Sequence, residues 1–85
     1  MNSPRVILHP KVKKQIKALH TIDRKKTRKA LEDLSNNFQN QEHKIKKLTN
    51  LRNSYRIRIG NVRLIFEKER GVIFVRKIAY RGQIY

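Results

Sequence analysis

The chain has 85 residues and no cysteine, and it carries 22 Lys and Arg against 6 Asp and Glu, a formal charge of +16. That length supports one domain, 1–85, with one modest core, and the missing cysteine excludes disulfides and thiolate metal sites. So large a cationic excess opposes its own compaction and points to a polyanion: nucleic acid first, an acidic protein second, an anionic membrane third.

No apolar run approaches the roughly 18 residues of a membrane span. Val6-Ile7-Leu8 is too short for a signal peptide. The expectation is a soluble, cytoplasmic protein.

In chain order, Arg5 to Leu8 reads as an opening strand that stops at Pro10. Proline suits the first helical position, where its missing N–H costs nothing. Val12, Ile16 and Leu19 then recur on one helical face, with Lys11, Lys13, Lys14 and Lys17 around them. Thr21 or Asp23 can cap a second helix. Its apolar stripe is Ala30, Leu31, Leu34 and Phe38. Arg24, Lys25, Lys26, Arg28 and Lys29 crowd its start, the end at which the helix dipole disfavours cations. Helix stability does not call for them there, so Lys25, Lys26 and Lys29 are candidates for RNA contact, although a lone surface lysine is most often just solvated. Ser35 to Glu42 reads as a helix end and loop. The segment with Lys44, Lys46 and Lys47 around Ile45 reads as a short turn or loop, its lysines further RNA-contact candidates.

From Tyr55 onward the pattern alternates with period two. Tyr55, Ile57 and Ile59 share one face, and Arg56 and Arg58 the other. Gly60-Asn61 suits a type II′ hairpin turn. That turn sets Ile57 opposite Leu64, Tyr55 opposite Phe66, and Arg58 opposite Arg63. One face is then wholly apolar and available to both helices. The other opposes like charges, which destabilises a ladder unless an anion is expected there. A second turn is expected over Glu67 to Gly71, followed by a strand from Val72 to Ala79. Setting Glu67 opposite Val72 places Arg63 opposite Arg76, and adds Arg76 and Tyr80 to the basic face as secondary RNA-binding candidates. The fold class is α+β, in the order β-α-α-β-β-β, with an antiparallel sheet and both helices on one face.

His9, His20 and His43 lie in different segments, and no acidic cluster has ligand spacing. No metal or cofactor is expected. Metal-free RNA cleavage stays possible: a 2′-hydroxyl attacks the adjacent phosphate while guanidinium groups hold the developing charge. Arginine makes a poor base because its pKa exceeds about 12. Tyr80, Tyr85 and Glu67 are the titratable groups expected near the basic face.

The run YRIRIGNVRLIF, the ending KIAYRGQIY and the opening RVILHPKVKKQIKAL resemble the RelE/ParE toxin superfamily of toxin–antitoxin systems over nearly the whole chain. The resemblance implies a RelE-type toxin that enters the ribosomal A site and cleaves mRNA without metal. It assigns catalytic roles to Arg56, Arg58, Arg63, Arg81 and Tyr85. It implies a cognate antitoxin, an acidic or amphipathic segment that covers the basic face, beside the ribosome and mRNA. The alternatives within the superfamily are a ParE-like inhibitor of DNA gyrase and a non-catalytic RNA- or ribosome-binding homologue.

Overall fold

The computed structural model describes residues 5–36 and 44–83. Phe38, Glu42, His43 and Tyr85 of the sequence reading lie outside the described residues. The elements are β1 (Arg5–Leu8), α1 (Pro10–Lys17), α2 (Thr21–Asn36), β2 (Lys44–Lys47), β3 (Ser54–Ile59), β4 (Val62–Glu69) and β5 (Val72–Tyr80). The α+β class and the two helices are as expected.

The sheet runs β1-β5-β4-β3-β2. Consecutive strands β2 to β5 pair antiparallel, whereas β1 joins β5 in parallel. The sheet is therefore mixed. A parallel neighbour needs a long crossover, and here the crossover from β1 to β5 contains both helices and three strands.

The segment expected to be a loop around Ile45 is the edge strand β2. Ile45 opposes Ile57, and Lys46 opposes Arg56. Four residues are too few for periodicity to identify a strand. The exposed ladder groups of β3 are what hold it extended. Lysines on this edge also discourage pairing with another chain.

Pro10 opens α1 as expected, and the His9 ring caps it, Nδ1 accepting from the Lys11 N–H at 3.1 Å. Val12, Ile16 and Leu19 go into the core with Ala30 and Leu34 of α2. They meet Ile57, Ile59, Val62, Leu64 and Phe66 of the hairpin, and Ile73, Val75 and Ile78 of β5. Tyr55 and Leu31 pack against this cluster half-buried. The buried Thr27 completes the inner face of α2, a position that hydrophobic pattern alone does not mark. Among the described residues no helix is long and apolar enough to cross a membrane.

The β3–β4 register is the one the sequence dictates, with Tyr55 opposite Phe66, Ile57 opposite Leu64 and Arg58 opposite Arg63. Gly60 takes φ +59° while Asn61 does not enter the positive region, as a II′ turn requires.

The β4–β5 register differs from expectation. The turn is only Arg70-Gly71, both with positive φ, so β4 continues to Glu69 and Glu67 faces Phe74. A bulge follows between Ile65 and Phe66 on β4: Phe66 pairs with Val75, but Ile65 pairs with Lys77. One extra residue on β5 reverses its parity. Ile73 and Val75 face the helices before the bulge, Ile78 and Tyr80 after it. The buried positions switch from odd to even across Arg76-Lys77, but every residue from Val72 to Val75 is apolar, so the sequence pattern does not mark the switch.

Past Leu8, β1 no longer covers the edge of β5. Gln15 of α1 takes its place there, its Oε1 accepting from the Ile78 N–H at 2.8 Å.

Candidate nucleic-acid interface

Both helices lie against one face of the sheet. The opposite face carries the arginines, because register dictates it. Arg56 and Arg58 of β3 share that face with Arg63 of β4, and β2 places Lys44 and Lys46 at the register positions opposite Arg58 and Arg56. Arg81 follows β5, and its N–H donates to Asn61 O at 2.7 Å. Arg58, Arg63 and Arg81 thus come from adjoining strands to one end of the sheet, around the Gly60-Asn61 turn.

Their environments differ. Arg58 and Arg81 are exposed and Arg56 is half-buried. Arg63 is only 8% exposed. Its Nη1 donates to Gly60 O, and to Val62 O at 3.0 Å. The like-charge opposition of Arg58 and Arg63 therefore has a partner inside the protein, since these carbonyl dipoles face the Arg63 cation. Arg63 is a clamp on the turn as well as a charge. Arg63→Ala is expected to cost about 1–3 kcal/mol by leaving turn carbonyls unsatisfied, read as a lower urea midpoint. An unchanged midpoint would mean that the clamp carries no stability.

Arg76 does not oppose Arg63; Ala79 does. The short turn and the bulge move Arg76 toward the other end of the sheet, where Nη1 pairs with Glu67 Oε1 at 2.9 Å.

Tyr80 stands on the helix side, again because of the bulge. Its hydroxyl donates to Asp23 Oδ2 at 2.8 Å and accepts from the His20 N–H at 2.9 Å. The His20 ring lies beside it, centroids 5.8 Å apart. Tyr80 thus ties the α1–α2 junction to the strand end from which Arg81 projects.

Burial raises the Tyr80 hydroxyl above the ordinary tyrosine value of 10.0; the Asp23 hydrogen bond and charge add to this, and the His20 N–H opposes it. A raised acid holds its proton longer folded than unfolded, so its stabilisation is complete below pH 10.0 and is lost as pH rises beyond it. The stability gap between the wild type and Tyr80→Phe should therefore narrow above that pH in melting curves. A gap independent of pH would exclude the linkage.

Lys25, Lys26 and Lys29 are exposed on α2. They belong to the helical layer, on the side of the sheet away from the arginines. Among the described residues no three of His, Cys, Asp and Glu gather as metal ligands do.

The chain matches, over residues 6–85, the family described as the ParE toxin of the type II toxin–antitoxin system, parDE. It belongs to that family and, with it, to the RelE/ParE superfamily.

Two solved structures show the same fold. The archaeal RelE–RelB complex from Pyrococcus horikoshii OT3 superposes with a TM-score of 0.81 at 24% identity, covering 95% of this chain and 98% of that one. The RelB–RelE antitoxin–toxin complex from Methanococcus jannaschii gives 0.78 at 28% identity, covering 87% of this chain and 88% of that one. No match was found among the curated proteins.

Proposed function

We propose that this toxin cleaves mRNA in the ribosomal A site, by attack of a 2′-hydroxyl on the adjacent phosphate without metal. The observation that carries this reading is the grouping of Arg58 and Arg63 at one end of the sheet face that neither helix covers, with Arg81 leaving β5 beside their turn. The exposed guanidinium groups of Arg58 and Arg81 can pair with two phosphate oxygens at once and hold charge that develops in the transition state, with the buried Arg63 adding its charge from beneath the turn.

Arg56 flanks the group on β3. Tyr85 keeps the role assigned by the family pattern, in proton transfer or stacking on a base. No general base is assigned among the described residues, and positioning by the ribosome would supply most of the rate. The α2 lysines and those of β2 would add attraction to ribosomal RNA. A site of this kind works in the cytoplasm and needs a protein that silences it. The neighbouring RelE structures are complexes with RelB, and a chain of charge +16 suits an acidic or amphipathic antitoxin segment.

The test is primer extension on a defined mRNA in a translating extract. Cuts that appear only during translation, in reading-frame register, support the proposal. Intact mRNA would sink it. A second reading, inhibition of DNA gyrase, is favoured by the ParE description of the matching family. It expects DNA-damage signalling with mRNA intact. Binding to ribosomes without either effect would mark a non-catalytic homologue.

A further inference from the structure

The arginine-bearing face has a second feature, at its opposite end. A cleft of about 580 Å³ opens there, lined by Glu67, Glu69, Arg70, Val72, Phe74 and Arg76. Glu67 and Phe74 oppose each other across the β4–β5 ladder, so both project from this face. The Arg76 guanidinium carbon lies 5.8 Å from the centroid of the Phe74 ring, while its Nη1 pairs with Glu67. An aromatic ring, a cation and a carboxylate therefore meet in one cleft.

We infer that this cleft is a nucleobase subsite, in which an unpaired RNA base stacks on Phe74 and donates its exocyclic amino group to Glu67. The inference rests on the proposed RNA-directed function and adds a preference among bases.

Placement supports it first. Glu67 is four residues along β4 from Arg63, a distance of roughly 13 Å on the same face. An unstacked strand held by the arginines crosses that in a few nucleotides. Chemistry supports it next. Sequence-specific recognition of single-stranded RNA relies on bases splayed onto aromatic rings and read along their edges. Phe74 is half-buried and on a sheet, so little entropy is lost in holding it for stacking.

The carboxylate then sets the selectivity. In a chain with only 6 acidic residues, a glutamate on the cationic face repels phosphate and attracts an N–H donor. Cytosine presents an amino donor at its position 4. Uracil presents a carbonyl oxygen there, which would face the lone pairs of Glu67. Arg76 lies over the Phe74 ring and balances the carboxylate before a base arrives; an incoming base displaces it from the ring, and its guanidinium then donates to ring acceptors.

The experiment is fluorescence anisotropy of the full chain with short oligocytidylate and oligouridylate at one fixed salt concentration. The wild type should bind oligocytidylate roughly tenfold more tightly. Glu67→Gln should bring the two level, because an amide both donates and accepts. Phe74→Ala should weaken both by roughly tenfold through lost stacking. Melting temperatures of the two variants confirm that each is folded, and either variant alone tests the cleft. Arg58→Ala should weaken both oligonucleotides equally and leave their ratio unchanged.

Equal affinity for the two oligonucleotides in the wild type, or no effect of Phe74→Ala, would overturn the subsite. If Arg58→Ala still weakened binding in that case, the arginine face would stand without it. If neither oligonucleotide bound while translation-dependent cutting persisted, the subsite alone would fall. If cutting were absent too, the proposed function would fall with it.

Discussion

Arg58→Ala and Arg81→Ala are each expected to lower translation-dependent cleavage about 10²- to 10³-fold, the usual loss when one preorganised partner of a developing oxyanion is removed. Both side chains are exposed, so neither substitution opens a cavity. Surface changes of this kind usually stay within about ±0.5 kcal/mol, and the melting temperature should barely move. This separates them from Arg63→Ala, in which lost activity and lost turn stability are mixed. Arg58→Lys gives a finer test. Lysine keeps the charge but not the planar fork that meets two phosphate oxygens. Its activity should fall between wild type and alanine if bidentate contact matters. Full cleavage by both alanine variants would remove this end of the sheet from the chemistry.

The largest loss of stability is expected from Phe66→Ala. Phe66 is fully buried. It stacks on Tyr55, with ring centroids 5.3 Å apart and planes 18° from parallel. It also occupies the ladder step beside the bulge, paired with Tyr55 on one side and Val75 on the other. Removing such a ring costs about 3–5 kcal/mol through lost burial and the cavity left behind. Domains of this size hold about 5–15 kcal/mol in total, so the variant should unfold at far lower urea or fail to accumulate. A loss under about 1 kcal/mol would show that the helices collapse onto the space. Leu34→Ala, the corresponding deletion on the helix side, should cost about 2–5 kcal/mol.

The two experiments probe opposite faces of one hairpin. Its inner face carries Ile57, Leu64 and Phe66, and its outer face carries Arg58 and Arg63. Alternation along two strands joined by a tight turn is enough to separate core from candidate site. This is why Arg58, Arg63 and their opposition are legible in the amino-acid sequence alone. The helical stripes are legible for the same reason: Val12, Ile16, Ala30 and Leu34 recur at the helical period and are buried, and Leu19, expected on the same stripe, is buried just beyond the end of α1. The resemblance in YRIRIGNVRLIF leads to the superfamily to which the chain belongs.

Local pattern, then, determined the helices, the β3–β4 register, the inner face of the core and the charge of the outer face. These follow from interactions between near neighbours in the chain, and a two-residue turn leaves the pairing little freedom. Tertiary structure decided what depends on distant partners. The strand β2 exists because β3 has an edge to offer. The parallel placement of β1 depends on a crossover spanning most of the chain. The bulge opposite Arg76-Lys77 reconciles the core positions Val75 and Ile78, which uninterrupted alternation would put on opposite faces. That single extra residue sends Tyr80 to Asp23 and His20, while the two-residue Arg70-Gly71 turn by itself already keeps Arg76 from facing Arg63. A shift of one residue costs nothing locally and inverts every side chain beyond it, so only the packed core could choose.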